Sequence, residues 1–175
     1  MSRIAYLTGA VLFTALLPSS AAAEWRERFK ESFGWPPTLT VDHVLVQTSL
    51  YTRHFNPDPE HTDQQRLISI EAHTPDRWHV GGARFKNSFN QDSVYVYAGK
   101  SFPLWQPNAT FELRGKLTAG LLHGYRGEYR DKIPFNHYEI APAAMPAIGI
   151  RWHHVESDLI IFGKAGMMLT AGVRF

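Results

Sequence analysis

The sequence predicts an all-β fold, an eight-stranded antiparallel outer-membrane β-barrel preceded by a short N-terminal amphipathic helix. Three features favour this fold: an N-terminal export signal, eight segments in which apolar and polar residues alternate, and a last alternating segment that ends on Phe175. Alternation with a period of two residues is typical of strands. Bacterial outer-membrane barrels are closed by an even number of such strands.

Composition excludes several other classes of protein. The 175 residues suit a single domain, and 18 basic against 16 acidic residues give a net charge of only +2. We therefore expect no nucleic-acid partner. The chain contains no cysteine, which excludes a disulfide framework, a thiolate metal site and a thiol nucleophile. A hydrophobic content of 44% excludes disorder.

Residues 1–23 are predicted to be a secretory signal peptide. Arg3 supplies the positive charge, residues 4–17 form a short apolar core, and three alanines ending at Ala23 offer a cleavage site. The apolar core is too short to span a membrane comfortably, and no stop-transfer cluster of charges follows it. We therefore expect cleavage after Ala23 and export beyond the inner membrane.

Residues 24–35 predict the amphipathic helix. Trp25, Phe29 and Phe33 recur at helical spacing, and charged residues fill most of the positions between them. Gly34 and the prolines after it end the pattern. A short basic helix with an aromatic stripe suits a membrane interface, but it also suits packing on a soluble core, so the helix alone does not separate the two.

The barrel, residues 38–175, is predicted from eight alternating segments that turn residues separate. The clearest segment is 109–125, in which apolar residues occupy one face and polar or charged residues the other. It is longer than the roughly five to six residues that are usual in strands of soluble proteins. The eight predicted strands are 39–53, 66–73, 78–88, 93–102, 109–125, 139–152, 155–162 and 167–175.

Periodicity alone fits two architectures with opposite faces. A soluble sandwich or lipocalin-like barrel keeps its charged residues outside, whereas an outer-membrane barrel keeps them in the lumen. The export signal, the terminal Phe175 and aromatic residues near strand ends favour the second architecture. The predicted luminal charges are Glu71, Glu112, Arg114, Lys116, Arg151 and Arg174. The predicted interfacial aromatic residues are Trp78, Tyr95, Tyr97, Phe102, Trp105, Tyr125 and Trp152.

The topology gathers three polar residues at one rim of the barrel. With the N-terminus on the periplasmic side, His54, Ser88 and Tyr125 fall at the extracellular ends of the first, third and fifth strands. A base, a hydroxyl and a donor for an oxyanion are what acyl transfer needs. With nine histidines in the chain, a rim histidine also fits a purely structural or solvated role. The adjacent His153 and His154 point to opposite strand faces, so no metal site is predicted.

Pro142 and Pro146 lie inside the sixth predicted strand, although proline cannot donate to a β-ladder. Either the strand is wrongly assigned, or the prolines mark a local gap in the barrel wall. Such a gap would be a side entrance for a lipid.

Four segments, in order along the chain, resemble the PagP family, the lipid A palmitoyltransferases of the Gram-negative outer membrane. The segment PDPEHTD at 57–63 is similar to YDKEKTD in the family's first outer loop, and FKNSFNQ at 85–91 is similar to the family's FKDSWNK. The segment LTAG at 117–120 is similar to the family's FTAG, and the proline-containing strand 140–152 is similar to the family's PLPVLLPLASVGY. The resemblance implies an enzyme that moves palmitate from a phospholipid to lipid A. Both partners would be membrane lipids, and we expect a monomer that needs no soluble cofactor.

The resemblance also implies catalytic residues. Ser88 matches the family's serine, and Asn87 stands where the family has an aspartate, an amide that can still orient or donate a hydrogen bond. Ungapped matching of the first outer loop puts Thr52 at the position of the family's histidine. His54, two residues later, lies on the same strand face and is our candidate base. His61 in the same loop is the next candidate.

The implied substrate-binding residues lie elsewhere on the barrel. Gly99 matches the glycine at the floor of the family's acyl pocket by ungapped count from Ser88, Tyr125 belongs to the rim, and the acyl chain would enter near Pro142 and Pro146. Two other functions stay open: a lipid A deacylase of similar barrel size, with water as the acceptor, and a non-enzymatic structural or transport barrel. An open pore is disfavoured, because side chains just fill an eight-stranded barrel.

Overall fold

The structure, a computed structural model, describes residues 19–34, 36–56, 61–62 and 65–175. Residues 1–18 of the predicted signal peptide lie outside the described residues, as do residues 57–60 and 63–64 of the first outer loop. The chain divides after Pro37 into two compact units. None of the helices in the described part of the chain is long and apolar enough to cross a membrane.

The first unit contains helix α1, Ser19–Phe33. It begins before the predicted residue 24, because the alanines that precede Glu24 are strong helix formers. An ion pair of 2.6 Å between Arg28 and Glu24, one helical turn apart, adds a small stabilisation on the exposed surface. The helix ends at Gly34, whose φ of 60° is accessible to glycine without strain.

The second unit is a closed barrel of eight antiparallel strands in chain order, with β8 paired back to β1. The strands are β1 His43–His54, β2 Ile68–His73, β3 Trp78–Lys86, β4 Asp92–Trp105, β5 Phe111–His123, β6 Ile140–Trp152, β7 Val155–Ile161 and β8 Gly166–Arg174. The predicted fold class is confirmed. Because the strand number is even, β1 begins and β8 ends at one end of the barrel, the terminal end; the opposite end is the loop end.

The strand faces have the polarity of an outer-membrane barrel. Along β5, Glu112, Arg114 and Lys116 are buried in the lumen, whereas Leu117 and Leu121 are 45% and 58% exposed on the outside. This arrangement follows from the period of two, since successive side chains of a strand point to opposite faces. A soluble barrel would have the reverse arrangement.

The predicted ring of interfacial aromatic residues is wrong for two tyrosines of β4. Tyr95 and Tyr97 are only 4% and 8% exposed, and their rings stack in the lumen with centroids 4.6 Å apart. Both alternate with the outward-facing Val94 and Val96, so the register of β4 puts them inside. Aromatic character alone therefore does not distinguish a membrane-facing residue from one that fills the lumen.

Candidate active site

His54 and Ser88 meet at the loop end of the barrel. His54 is the last residue of β1, and Ser88 follows the end of β3 by two residues. The strand between them, β2, pairs with β1 only as far as Thr48 and so stops short of this level. His54 Nε2 lies 2.8 Å from Ser88 Oγ. A hydroxyl within hydrogen-bond reach of an imidazole is the arrangement of a nucleophile and its general base.

Asn87, the third catalytic residue implied by the resemblance, is engaged in the turn between β3 and β4. Its Oδ1 accepts hydrogen bonds from the backbone N–H groups of Phe89 and Gln91, each at 3.0 Å. Its Nδ2 donates to the carbonyl oxygen of Gly124 at 3.2 Å and to Gln91 Oε1 at 3.3 Å. The residue is 1% exposed. Asn87 therefore positions Ser88 and does not direct its amide at a substrate.

Tyr125 completes the site at the same rim. Its phenol interacts with the side chain and the backbone of Ser88, so the structure brings together the three rim residues that the topology predicted. Burial raises the pKa of the Tyr125 phenol above its ordinary value, and the interactions with Ser88 oppose that shift without cancelling it. At neutral pH the phenol keeps its proton and can donate a hydrogen bond.

Contacts between two loops hold Tyr125 over Ser88. The rings of Phe89 and Tyr129 stack with centroids 4.0 Å apart. Gln91 and Arg126 exchange two hydrogen bonds, from Gln91 Nε2 to the Arg126 carbonyl at 3.3 Å and from the Arg126 N–H to Gln91 Oε1 at 3.0 Å. Tyr129 belongs to the 3₁₀ helix Gly127–Lys132. Strand periodicity carries no signal for these contacts, which the sequence analysis missed.

His61 reaches the site from the loop between β1 and β2. Its ring centroid lies 4.6 Å from that of His54 and 5.2 Å from that of Phe89. The next residue, Thr62, donates its backbone N–H to the Ser88 carbonyl oxygen at 2.8 Å. His61 and Thr62 therefore contact the two members of the His54–Ser88 pair, and the imidazole bonded to the serine hydroxyl is that of His54.

An apolar cavity occupies the loop-end half of the lumen. The centre of a water-sized sphere can occupy about 50 Å³ of it, which is room for a few water molecules. Its apolar lining consists of Leu67, Ala83, Phe85, Tyr95, Met145, Ala147, Ile160, Phe162 and Met168. His54 and Ser88 do not line the cavity, but Tyr125 packs against the same apolar cluster as its lining residues, so the cavity lies on the inner side of the site.

A polar network closes the cavity at its deep end. Glu71 accepts hydrogen bonds from Tyr97 Oη at 2.8 Å and from Lys116 Nζ at 2.7 and 2.8 Å. Lys116 also contacts Asp158 at 3.3 Å, and Asp158 pairs with Arg114 at 2.7 Å. Every member is buried and has a partner of opposite charge or a hydrogen bond, which keeps such a network stable in a lumen. The sequence predicted Glu71, Arg114 and Lys116 inside, but not that they form a floor.

Gly99 does not lie at this floor, which corrects the role that the resemblance implied. A Cβ atom at Gly99 would clash with His79 Nε2 and would lie 2.6 Å from the Leu117 carbonyl oxygen. Gly99 is two residues beyond Tyr97 toward the terminal end, below the cavity. The glycine permits close approach of β5 and the His79 ring.

The barrel wall opens beside the two prolines of β6. β6 pairs with β5 along its whole length, but with β7 only from Ala147 to Trp152. Among the described residues, no strand pairs with the β7 side of residues 140–146. The cavity lies next to this seam, because its lining includes Met145, which is just beyond the last β6–β7 pair, Ala147 with Ile160.

The hydrogen-bond direction along β6 explains why the prolines are tolerated. The Glu139 carbonyl accepts from the Gly124 N–H, and the His153 N–H donates to the Thr110 carbonyl, so odd-numbered residues bond toward β5. In an antiparallel strand, alternate residues bond to opposite neighbours. The two prolines are even-numbered and face the open side, where an N–H would have no strand to pair with. The strand assignment stands, and the prolines remove donors from a free edge.

The fold and the site define an outer-membrane β-barrel with a His–Ser pair at its loop end and an apolar cavity beneath it. Among the described residues, no group of three or more His, Asp or Glu side chains is arranged to hold a metal ion. No protein-family model matches the chain, and no curated protein matches it.

Among solved structures, the chain is similar to the crystal structure of Ail, the attachment invasion locus protein of Yersinia pestis, in complex with the heparin analogue sucrose octasulfate. The two are 16% identical, the match covers 76% of this chain and 96% of that one, and the TM-score is 0.37. A likeness this distant leaves function to the chemistry of the site.

Proposed function

We propose that the protein is an acyltransferase of the outer membrane that moves a palmitoyl chain from a phospholipid to lipid A. The observation that carries the proposal is the 2.8 Å contact between His54 Nε2 and Ser88 Oγ, on the loop-end side of an apolar cavity. The apolar exterior of the barrel and the predicted export signal support a location in the outer membrane.

The open seam between β6 and β7 supports a lateral route for the acyl donor. A lipid in the bilayer has its chains at the level of the barrel wall, so a chain can reach the lumen only through a gap between strands. The seam beside Pro142 and Pro146 adjoins Met145, which lines the cavity. An apolar chain that moves from the bilayer into this lining stays in an apolar environment, while its ester lies nearer the polar rim.

Ser88 would act as the nucleophile and His54 as its base. His54 Nε2 accepts the hydroxyl proton as Ser88 Oγ attacks the ester carbonyl carbon of the donor. Tyr125 donates a hydrogen bond to the oxyanion that forms. The ester C–O bond then breaks, and the leaving lysophospholipid alkoxide takes the proton from His54.

Transfer to lipid A would repeat these steps with a new acceptor. A lipid A hydroxyl gives its proton to His54 and attacks the carbonyl carbon of acyl-Ser88. The bond between Ser88 Oγ and the acyl group breaks, and Oγ recovers its proton from His54. No soluble cofactor is needed, because the donor ester already contains the activated acyl group.

Mass spectrometry of lipid A tests the proposal. Lipid A from cells that carry the protein should gain one palmitoyl group relative to cells without it, and cells with Ser88→Ala should match the latter. Loss of an acyl group would instead indicate a deacylase that uses water with the same pair. An unchanged spectrum would indicate a structural barrel.

A further inference from the structure

Three histidines form a stacked column at the terminal end of the lumen. The ring centroids of His43 and His73 lie 4.4 Å apart with an angle of 18° between the planes, and those of His73 and His79 lie 4.7 Å apart with an angle of 23°. They come from β1, β2 and β3, whose register places them side by side. The column is on the opposite side of the polar floor from the His54–Ser88 site.

Members of the column differ in their acidic partners. His43 Nδ1 lies 2.8 Å from Asp42 Oδ2, and His73 Nε2 lies 2.8 Å from Glu71 Oε2. His79 is 1% exposed, and within the described part of the chain neither of its ring nitrogens has a hydrogen-bond partner. His79 alone therefore lacks a carboxylate in direct contact.

The surroundings of His79 disfavour a positive charge there. On the β2 side it stacks on His73, and it lies within the electrostatic range of Glu71 of β2 and of Lys116 and Arg114 of β5. From β4 it faces Gly99 and the ring of Tyr97. Glu71, the one carboxylate within this set, is already bonded to Lys116, Tyr97 and His73.

The other carboxylates at this end of the lumen do not supply a free counter-charge for His79. Asp158 and Glu156 of β7 are paired with Arg114, and Asp42 is shared by His43 and Arg174. A proton on His79 would therefore add a cation beside Lys116 and Arg114 without a free counter-charge, in a buried position.

We infer that His79 makes the barrel sensitive to acid, independently of any transfer reaction. The unfolded chain binds a proton at this histidine below its ordinary pKa of about 6.5, whereas the folded barrel excludes it. The free energy of unfolding is therefore highest above about pH 6.5 and decreases as the pH falls below that value, because the unfolded chain binds a proton that the folded chain does not. Since Glu71 belongs both to the column's contacts and to the cavity floor, acid would act on the floor as well.

The test is equilibrium unfolding of the full chain in detergent micelles by urea, followed by tryptophan fluorescence. From about pH 7.5 to about pH 5, exclusion of one proton raises the unfolding equilibrium constant about 30-fold. In His79→Gln the unfolding equilibrium constant should therefore rise about 30-fold less between these two pH values than it does in the wild type. His154→Gln, an exposed histidine of the β6–β7 turn at the same end of the barrel, is the matched control and should leave it unchanged.

Equal pH dependence in wild type and His79→Gln would overturn the inference. If His79→Gln does not fold, nitrogen-15 NMR of the wild-type imidazoles in micelles decides. A His79 ring that is still neutral at about pH 5 supports the inference, whereas a ring protonated between pH 5 and its ordinary pKa of about 6.5 overturns it.

Discussion

Asn87 Nδ2 donates a hydrogen bond to the carbonyl oxygen of Gly124 at 3.2 Å, across 37 residues of sequence, and so joins the turn that holds Ser88 to the loop that holds Tyr125. An asparagine can make this bond while its Oδ1 accepts two backbone N–H groups. An aspartate could accept the same two bonds but could not donate the third. The departure from the PagP pattern at this position is therefore matched by the local hydrogen bonding.

Asn87→Asp should lower both stability and acyl transfer. It places a carboxylate against the Gly124 carbonyl and leaves that carbonyl without its donor, at a cost of about 1–3 kcal/mol in the free energy of unfolding. Displacement of Tyr125 from Ser88 should reduce transfer as well. Urea unfolding and lipid A mass spectrometry measure the two effects. Higher transfer in Asn87→Asp would show instead that a carboxylate acts at this position as in the family.

His54→Ala and Ser88→Ala should each abolish transfer while the barrel stays folded. Loss of a general base costs about 10²–10⁴-fold in rate, and both residues lie at the rim, where truncation removes little packing. Lipid A mass spectrometry measures transfer. Retention of the compact band of unboiled protein on gels shows that the barrel is folded.

His61→Ala is the matched control for His54→Ala, since it removes a second imidazole from the same loop end. It should retain part of the activity, because His61 contacts the His54 ring and not the serine hydroxyl. If His54→Ala retains full activity and His61→Ala does not, the base is His61.

The sequence predicts the barrel well because one variable, the alternation of residues along each strand, decides which side chains enter the lumen. Along β5 this alternation is enough to place Glu112, Arg114 and Lys116 inside. Which of them pair is decided by strand tilt and register, which alternation does not encode. Lys116 meets Glu71 across 45 residues of sequence.

The candidate site is predictable only in part for the same reason. Strand order brings His54, Ser88 and Tyr125 to one rim. The contact of Asn87 with Gly124 depends on loop geometry, and the position of Gly99 depends on the register between β3 and β4, which pairs it with His79. An ungapped count of residues contains neither piece of information.

If the cavity holds the acyl chain as proposed, its depth should respond to Ala83 and not to Gly99. Ala83 is 6% exposed and lines the cavity beside Tyr95, so Ala83→Leu should fill its deep part. Each CH₂ group of the acyl chain that is excluded costs about 0.8 kcal/mol, or about fourfold in affinity. Lipid A from cells with Ala83→Leu should then carry shorter chains.

Gly99→Ala is the contrasting variant. Its Cβ would lie 2.6 Å from the Leu117 carbonyl oxygen, a backbone atom that cannot move aside easily. We expect less folded barrel and an unchanged distribution of chain lengths. A shift to shorter chains in Gly99→Ala with normal folding would restore the floor role that the resemblance implied.

The ion pair at the cavity floor should show strong coupling. Lys116→Met leaves Glu71 as a buried charge without its cation, which costs about 3–5 kcal/mol in the free energy of unfolding. Adding Glu71→Gln removes that charge and should recover much of the loss, because Asp158 keeps Arg114 and Gln47 as partners. Urea unfolding of the two single variants and the double variant measures the coupling. Additive losses would show that the two side chains do not depend on each other.

The free edge of β6 should tolerate proline at even-numbered positions and reject it at odd-numbered ones. Ala144 lies between Pro142 and Pro146 with its N–H on the open side, so Ala144→Pro removes a donor that has no strand to pair with. Ala143 bonds toward β5, and Ala143→Pro deletes a ladder hydrogen bond and leaves a β5 carbonyl without a donor, at a cost of about 1–3 kcal/mol. The two variants make the same chemical change at adjacent positions, so they control for each other.

Urea unfolding should show near-wild-type stability for Ala144→Pro and a clear loss for Ala143→Pro. Equal losses would mean that β6 is paired on both sides in the membrane, and that the seam beside the cavity is closed.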